Sequence, residues 1–419
     1  MIRVFKFGGA LLSSAENLKH MAGLVDEFKC QPLVVVVSAI GKTTNALESL
    51  LKTALTKQDS LAEEYFRLKS FHLNLIRSLK LENGDQLMTE IEELFRELWD
   101  ALNLSYEDFY FAYDQIVSFG ERFSGRVVTR LLEEKELVVQ ELDAASVIAT
   151  DDNYTNATVD WAKTIEQVEK EVLPVLRDQK VVVTHGFVAG NGQGFRTTLG
   201  REGSDFTAAV LAGILHADET IIWKDVPGLM NADPHLFPDA VKLEKISYHE
   251  AVELAFYGAK VLHPKTIQPL QKKHIALQIR SFFQPFEKPT IISEEGDDDR
   301  VGKIIVKKDQ VLLSISSRTL DFIAEKHLHK IFRSFSKNKV HVNIMQHSAV
   351  SFSVAFDYDE KKLQGILNDL REEFYLKYNT QLELYTFRHY PPEQIQAMTE
   401  GKSVYLEQKS RITVQLLLK

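Results

Sequence analysis

The sequence predicts an α/β fold: a mostly parallel sheet sandwiched by helices, interrupted by a helical insert and followed by a smaller ferredoxin-like α+β unit. Three observations lead there. Strand-like and helix-like segments alternate through the first part of the chain, the pattern of a parallel sheet covered on both faces. A long stretch at about 46–116 has helical periodicity and almost no strand signal. The composition then breaks at the charged segment 294–300, and of 20 glycines only Gly365 and Gly401 follow Gly302.

Residues 2–7 read as the first strand, which ends in Lys6-Phe7-Gly8-Gly9. Ser13, with Glu16 three residues on, reads as a capping box, and Leu18, Met21, Val25 and Phe28 follow at helical spacing. The continuous run 33–37 is the kind of strand buried on both faces. After the insert, strands are expected at 137–142, 180–184 and 219–223, and helices at 161–178 and 204–216. Beyond 300 the order is strand 311–315, helix 323–335, strands 340–345 and 350–356, helix 360–375 and strand 382–387, a β-α-β-β-α-β unit. A helix at 391–399 and strands at 403–407 and 412–418 resemble a second copy cut short. The expected domains are therefore 1–300, 301–389 and a truncated unit at 390–419.

The formal charge of -9 has the wrong sign for a chain that lives on phosphate backbones, so nucleic acid is not an expected partner. The longest apolar run, 33–37, is far short of the roughly 20 residues that cross a bilayer, and the N-terminus does not read as a signal peptide. Cys30 is the single cysteine. It reads as a buried, inert thiol in a reducing compartment, and the expectation is a cytoplasmic protein without membrane contact.

Two familiar nucleotide motifs are excluded. Gly41-Lys42-Thr43-Thr44 ends like a P-loop, but Val36 stands where that loop needs its first glycine. Gly192-x-Gly194 is completed by Thr197 rather than the glycine or alanine of a dinucleotide fingerprint. What remains are loops after strands, where open α/β sheets bind ligands. Lys6 before Gly8 and Gly9 offers a charge together with backbone N–H groups for a phosphate. Gly200-Arg201-Glu202-Gly203-Ser204-Asp205 places glycines and a guanidinium at a helix start, a setting for a carboxylate or phosphate, although Ser204 also suits a simple cap. Asp225 in Lys224-Asp225-Val226-Pro227-Gly228 and Lys260 in Gly258-Ala259-Lys260-Val261 are further candidates. Glu121 could meet a cationic group, whereas His263 before Pro264 reads as a turn or packing histidine. The thirteen histidines are scattered without metal spacing, and Asp225 at a strand end is a candidate to orient a nucleotide or a magnesium ion.

In this order, Lys6-Phe7-Gly8-Gly9, Val37-Ser38-Ala39, Thr44-Asn45, Gly120-Glu121, Thr198 to Asp205, Lys224 to Gly228, Asp233-Pro234 and Gly258 to Pro264 resemble the aspartate kinases. The likeness covers 1 to about 300, and the tail resembles that family's regulatory ACT domains. The resemblance implies the amino-acid kinase fold and transfer of phosphate from ATP, with magnesium, to the L-aspartate side chain. The product, 4-phospho-L-aspartate, opens lysine, threonine and methionine biosynthesis. It implies that Lys6 and Asp205 are catalytic, Lys6 stabilising the transferring phosphoryl group. Ser38 and Thr44 would hold the reacting carboxylate and Arg201 the α-carboxylate. Glu121 with Asp205 would hold the amino group, and Gly203 and Ser204 complete the substrate side. Lys6, Gly8, Gly9, Lys224, Asp225, Met230, His235, Lys260 and Val261 would meet ATP. A carboxylate acceptor is already ionised at pH 7, so no general base is needed.

Departures from the family's common pattern fall at Ala10, Leu11, Glu202, Met230 and His235. The stretch 316–332 lacks the glycine common at the ACT effector site, and Asn343 stands where an aspartate is frequent. The tail is therefore expected chiefly to build a homodimer by side-by-side pairing of sheets, with an amino-acid effector as a second role. Two other readings fit the same fold. One is another amino-acid kinase, opposed by the insert, Glu121 and the Arg201 motif. The other is a non-catalytic amino-acid-binding regulator, opposed by retention of Lys6, Arg201, Asp225 and Lys260.

Overall fold

The computed structural model describes residues 1–28, 32–259, 262–298, 300–319 and 321–419. Cys30, Lys260 and Val261 lie outside the described residues. The chain forms two compact units, one of Met1–Leu229, Glu244–Val252 and Val261–Gly296, the other of Met230–Leu243, Glu253–Lys260 and Asp297–Lys419.

Among the described residues, the first unit has ten strands: β1 (Arg3–Phe7), β2 (Leu33–Val37), β3 (Val139–Leu142), β4 (Val181–His185), β5 (Val188–Gly190), β6 (Arg196–Thr198), β7 (Glu219–Lys224), β8 (Lys245–Ser247), β9 (Leu277–Ser281) and β10 (Thr290–Ser293). Eight of them form one sheet in the order β3-β4-β2-β1-β7-β9-β10-β8, and β5-β6 make a separate hairpin. Pairing is parallel except between β9 and β10. The run 33–37 is buried at every position, as a strand with helices on both faces requires. Beneath it, Phe7 stacks on Trp223 at 5.9 Å while Phe5 meets the same indole edge-on at 5.8 Å. This core fixes the ends of the two strands that carry Lys6 and Lys224.

The insert is a set of helices, Thr43–Leu55, Leu61–Leu79, Gly84–Leu102 and Phe109–Val117, in which Tyr65 packs on Phe95, and Phe95 stacks on Phe123 of the following helix Phe119–Glu133. The helix Ala15–Glu27, which follows β1, is capped by Ser14, whose Oγ accepts the Asn17 N–H at 3.2 Å, so the expected Ser13 capping box does not form. The helix expected at 161–178 contains a π-turn at Val168–Val172, just before Pro174. Pro174 has no N–H to return to the preceding turn, and the wider turn absorbs the mismatch.

In the second unit, β11 (Lys303–Ser317), β12 (Val342–His347), β13 (Ser351–Asp357), β14 (Phe374–Arg388), β15 (Val404–Lys409) and β16 (Thr413–Leu418) form one antiparallel sheet, ordered β12-β13-β11-β14-β16-β15. Helices Glu325–Lys337 and Glu360–Leu370 cover the face bearing Val311, Leu313 and Ile315. The expected β-α-β-β-α-β order is present. The second of its helices stops at Leu370 rather than 375, because Phe374 and Leu376 turn into the long strand that buries them.

Candidate active site

Parallel strands deliver their C-terminal ends to one edge of the sheet, and there a cavity of about 510 Å³ opens. Lys6 stands at the end of β1 and Lys224 at the end of β7, strands that pair in register. Both reach Asp205, in the first turn of the helix Gly203–Leu215. Lys6 Nζ lies 2.6 Å from Asp205 Oδ1, and Lys224 Nζ donates to Oδ2 at 3.1 Å. Asp205 and Lys6 are buried, at 2% and 7% exposure. Burial opposes the Asp205 charge, but Lys6 and Lys224 outweigh it and hold the carboxyl below the usual aspartate range. With Arg201 in the same lining, three cations stand against the carboxylates of Asp205 and Glu202, a cluster positive on balance and suited to an anion.

Close backbone approaches shape the walls. A Cβ on Gly9 would stand 2.0 Å from the Ala39 carbonyl oxygen, and the Gly41 N–H donates to Gly9 O at 2.8 Å. Only glycine lets the strand-end turn sit so tightly against 39–41. Ala39 N–H in turn donates to Glu121 Oε1 at 3.1 Å, and Ile40 N–H to Ser124 Oγ at 2.9 Å. Glu121 is 3% exposed, and its Oε2 has no hydrogen-bond partner among the described residues. Burial pushes its carboxyl up to about 7, against the opposing pull of the Ala39 N–H, His185 and Lys6.

On the opposite wall, Gly200 has φ +75° and Glu202 φ +53°. Glu202 occupies the helix cap position, so Ser204 lies inside the first turn and is not the cap. Glu202 is half-buried, and burial, with Asp205 nearby, raises its pKa.

The cavity lining gathers the sequence candidates Lys6, Gly9, Ser38, Thr44, Glu121, Arg201, Gly203, Ser204, Asp205 and Lys224. Gly8 sits beside them in chain, its added Cβ falling 3.5 Å from Lys6 Nζ. Asp225 is exposed just past β7 and is not in the lining. Met230 and His235 belong to the second unit, where Met230 bridges Lys242 and the His235 N–H donates to Asp233 Oδ1. His263 caps the helix Pro264–Gln271, its Nδ1 accepting the Lys265 N–H, in keeping with the turn expected there. Among the described residues no three His, Cys, Asp or Glu side chains are grouped to hold a metal ion.

Sequence reading missed Tyr113, Thr155 and Phe187, which also line the cavity. Tyr113 donates to Glu48 Oε1 at 2.6 Å. Thr155 is placed by buried Asp114, whose Oδ2 accepts the N–H groups of Thr155 and Thr198. Tyr113 and Thr155 lie in no glycine-rich or charged motif, and Phe187, although it follows Gly186 in a glycine-rich run, carries no polar group that would mark it. Asp114, alone and buried in a helix of aromatics, was the available signal.

The amino acid kinase family pattern matches residues 1–281. Aspartokinase 1 of Arabidopsis thaliana chloroplasts is 31% identical over 384 residues, covering 88% of this chain and 66% of that protein. The chain thus spans about two thirds of the length of this plant relative. Lysine-sensitive aspartokinase 3 of Escherichia coli is 29% identical, covering 85% of this chain and 78% of that protein. Among solved structures, E. coli aspartokinase III in complex with lysine and aspartate (T-state) superposes with a TM-score of 0.86 at 25% identity, over 99% of this chain and 95% of that one. The same enzyme with aspartate and ADP (R-state) gives 0.84 at 25% identity, over 100% and 96%. With two thirds of its length matched by the family pattern and its catalytic-edge motifs assembled in one cavity, the chain belongs to the amino acid kinase family.

Proposed function

We propose that the chain is an aspartate kinase, transferring the γ-phosphoryl group of ATP to the side-chain carboxylate of L-aspartate, the first step toward lysine, threonine and methionine. The observation that carries this reading is the convergence of Lys6 and Lys224 on Asp205 in a cavity that also presents Glu121, Ser38, Thr44 and Arg201. A cationic end for phosphate faces a carboxylate for an ammonium group and a guanidinium for a carboxylate. These are the charges of the two substrates. The likeness to a structure holding aspartate and ADP supports the same pairing.

An aspartate side-chain oxygen attacks the γ-phosphorus, the bond to the bridging oxygen breaks, and ADP leaves. The attacking oxygen is already anionic, so no proton moves. Catalysis is alignment and charge neutralisation. Lys6 and Lys224 face the negative charge spread over the phosphoryl oxygens. Asp205 positions both ammonium groups, and Glu121 Oε2 takes the substrate ammonium. Arg201 takes the α-carboxylate, with Ser38 and Thr44 on the reacting one. Gly8, Gly9 and Ser204 offer backbone N–H groups, and Gly203, whose own N–H donates to Gly200 O, lets the helix start pack closely on that wall, while Asp225, Met230, His235, Lys260 and Val261 are assigned to the remainder of ATP. Magnesium enters as the magnesium–ATP substrate, bound chiefly by phosphate oxygens and water. We further assign the tail a homodimer interface and an amino-acid effector role, and the protein to the cytoplasm. No described helix is long and apolar enough to cross a membrane.

The test is incubation with magnesium–ATP and L-aspartate, trapping the acyl phosphate with hydroxylamine. Aspartyl hydroxamate, absent with glutamate and lost in Lys6→Ala, is the expected result. Folded protein that yields none refutes the reading. Equal activity with and without lysine or threonine removes the effector role.

A further inference from the structure

Away from the catalytic edge, the first unit has a second concavity of about 770 Å³ between the segment 156–173 and the helices Gly203–Leu215 and Pro264–Gln271. Its walls include Trp161, Ile165, Leu173, Phe206 and Ile214. Trp161 and Ile165 are each 41% exposed, apolar surface that the fold does not cover. Lys265, Lys272 and Lys273 stand in the same lining, against the single acidic side chain Glu169. Lys272 and Lys273 form no ion pair among the described residues.

We infer that this cavity is a binding site for a small amphipathic anion, an apolar chain or ring bearing one carboxylate, sulfonate or phosphate. Its volume is in the range of ligand sites, about 300 to 1,000 Å³, and it pairs apolar walls with a few charged groups at one side. The charge pattern selects the occupant. A second copy of the chain, docked on the same surface about a two-fold axis, would bring lysines against lysines. An anionic head group meets them without that cost, while its apolar body takes the exposed surface of Trp161 and Ile165 out of water.

The site shares a wall with the catalytic cavity. Lys265 Nζ donates to Asn156 Oδ1 at 2.8 Å. That oxygen lies 2.8 Å from where a Cβ on Gly200 would be, and Gly200 and Thr155 both line the catalytic cavity. Phe206 of the outer site follows Asp205 directly in the helix. An anion that draws Lys265 from Asn156 therefore loosens the loop that flanks Arg201, and the occupant is expected to weaken aspartate binding.

The full-length protein is titrated with decanoate by calorimetry, with decyltrimethylammonium as the cationic counterpart. One decanoate per chain is expected, bound about tenfold or more tightly than the cation. The double variant Lys272→Ala/Lys273→Ala and, separately, Trp161→Ala should each weaken decanoate about tenfold. Absence of saturable binding, equal affinity for the cation, or variants that bind as the parent does would each overturn the site. So would concentration-dependent self-association abolished by Trp161→Ala, which would mark the surface as an interface between copies. The kinetic consequence rests on the aspartate kinase reading and is read separately: saturating decanoate should raise the aspartate KM about threefold or more. An unchanged KM with binding intact overturns the coupling and leaves the site.

Discussion

Glu121 should make the protein less stable in order to bind substrate, and the size of that cost follows from its burial. The carboxyl moves from an ordinary 4.5 to about 7 in the folded chain, and at about 1.4 kcal/mol per pH unit this amounts to about 3 kcal/mol. Below pH 4.5 both folded and unfolded chains hold the proton, so nothing is lost. Between 4.5 and 7 the unfolded chain ionises while the folded one does not, so stability falls as pH rises; above about 7 the loss is complete. Glu121→Gln keeps an oxygen for the Ala39 N–H and cannot ionise. Its stability gain over the parent should therefore be about 2.5 kcal/mol larger at pH 8 than at pH 5. Urea unfolding followed by tryptophan fluorescence measures this directly, because Trp99, Trp161 and Trp223 all lie in the first unit. The same variant should lose about 10- to 100-fold in kcat/KM for aspartate, the worth of one charged hydrogen bond, with the ATP KM little changed. A stability gain equal at the two pH values refutes the burial argument. An unaltered aspartate KM refutes the role of Glu121 as the ammonium partner.

Three further substitutions probe the same cavity. Lys6→Met leaves Asp205 buried with Lys224 alone, and should cost about 3 kcal/mol in urea unfolding while hydroxamate formation drops below about 1% of the parent; retention of a tenth of the activity would contradict the role of Lys6. Gly9→Ala forces a methyl group 2.0 Å from the Ala39 carbonyl oxygen, so a loss of about 3 kcal/mol or more is expected, and a variant as stable as the parent would show that this turn is loosely held. Glu202→Gly removes a left-handed non-glycine residue and should gain about 1 kcal/mol. It also deletes a carboxylate beside the lysines, so the ATP KM should fall, more at low salt than at high; an unchanged KM would place Glu202 outside the phosphate field.

The parallel half of the sheet was legible because its strands are fully buried and their apolar runs are unbroken, as at 33–37 and 181–183. The short strands β8, β9 and β10 were not expected. β8 has three residues, and Gln278 and Arg280 in β9 interrupt the apolar signal, so only tertiary pairing identifies them. Ser14 displaced Ser13 as cap because two adjacent hydroxyls carry the same local signal, and the chain entry angle decides between them. In the site, charged and glycine-rich residues were visible as motifs, whereas Tyr113, Thr155 and Phe187 come from elements far apart in sequence. What the sequence could not show is the division of labour between two carboxylates. Both Glu121 and Asp205 were assigned to the substrate amino group, yet the lysines occupy Asp205, leaving Glu121 the unpartnered oxygen.

The tail supports a last prediction. β12 is an edge strand of the second unit's sheet, without proline, and Met345 on it is 50% exposed. Phe332 on the helix Glu325–Lys337, packed edge-on to Phe352 of the neighbouring β13, is 41% exposed. An edge that offers unpaired N–H and C=O groups beside exposed apolar side chains is a template for another strand, and chains that stay single usually guard it with charge, proline or a bulge. Here the register shift lies at Val342/Ile344, leaving Met345 to His347 regularly paired to β13 and their outer side open. Antiparallel pairing of two such edges about a two-fold axis satisfies the backbone of both and buries Met345 against its copy. Sedimentation should therefore give twice the 47.8 kDa chain mass, and Met345→Asp, which sets like charges face to face, should give single chains with the fold retained. A parent protein that sediments at the single-chain mass at about 10 µM, far above the Kd of a stable dimer, refutes the edge-pairing argument, and a Met345→Asp variant that remains dimeric places the interface on another surface.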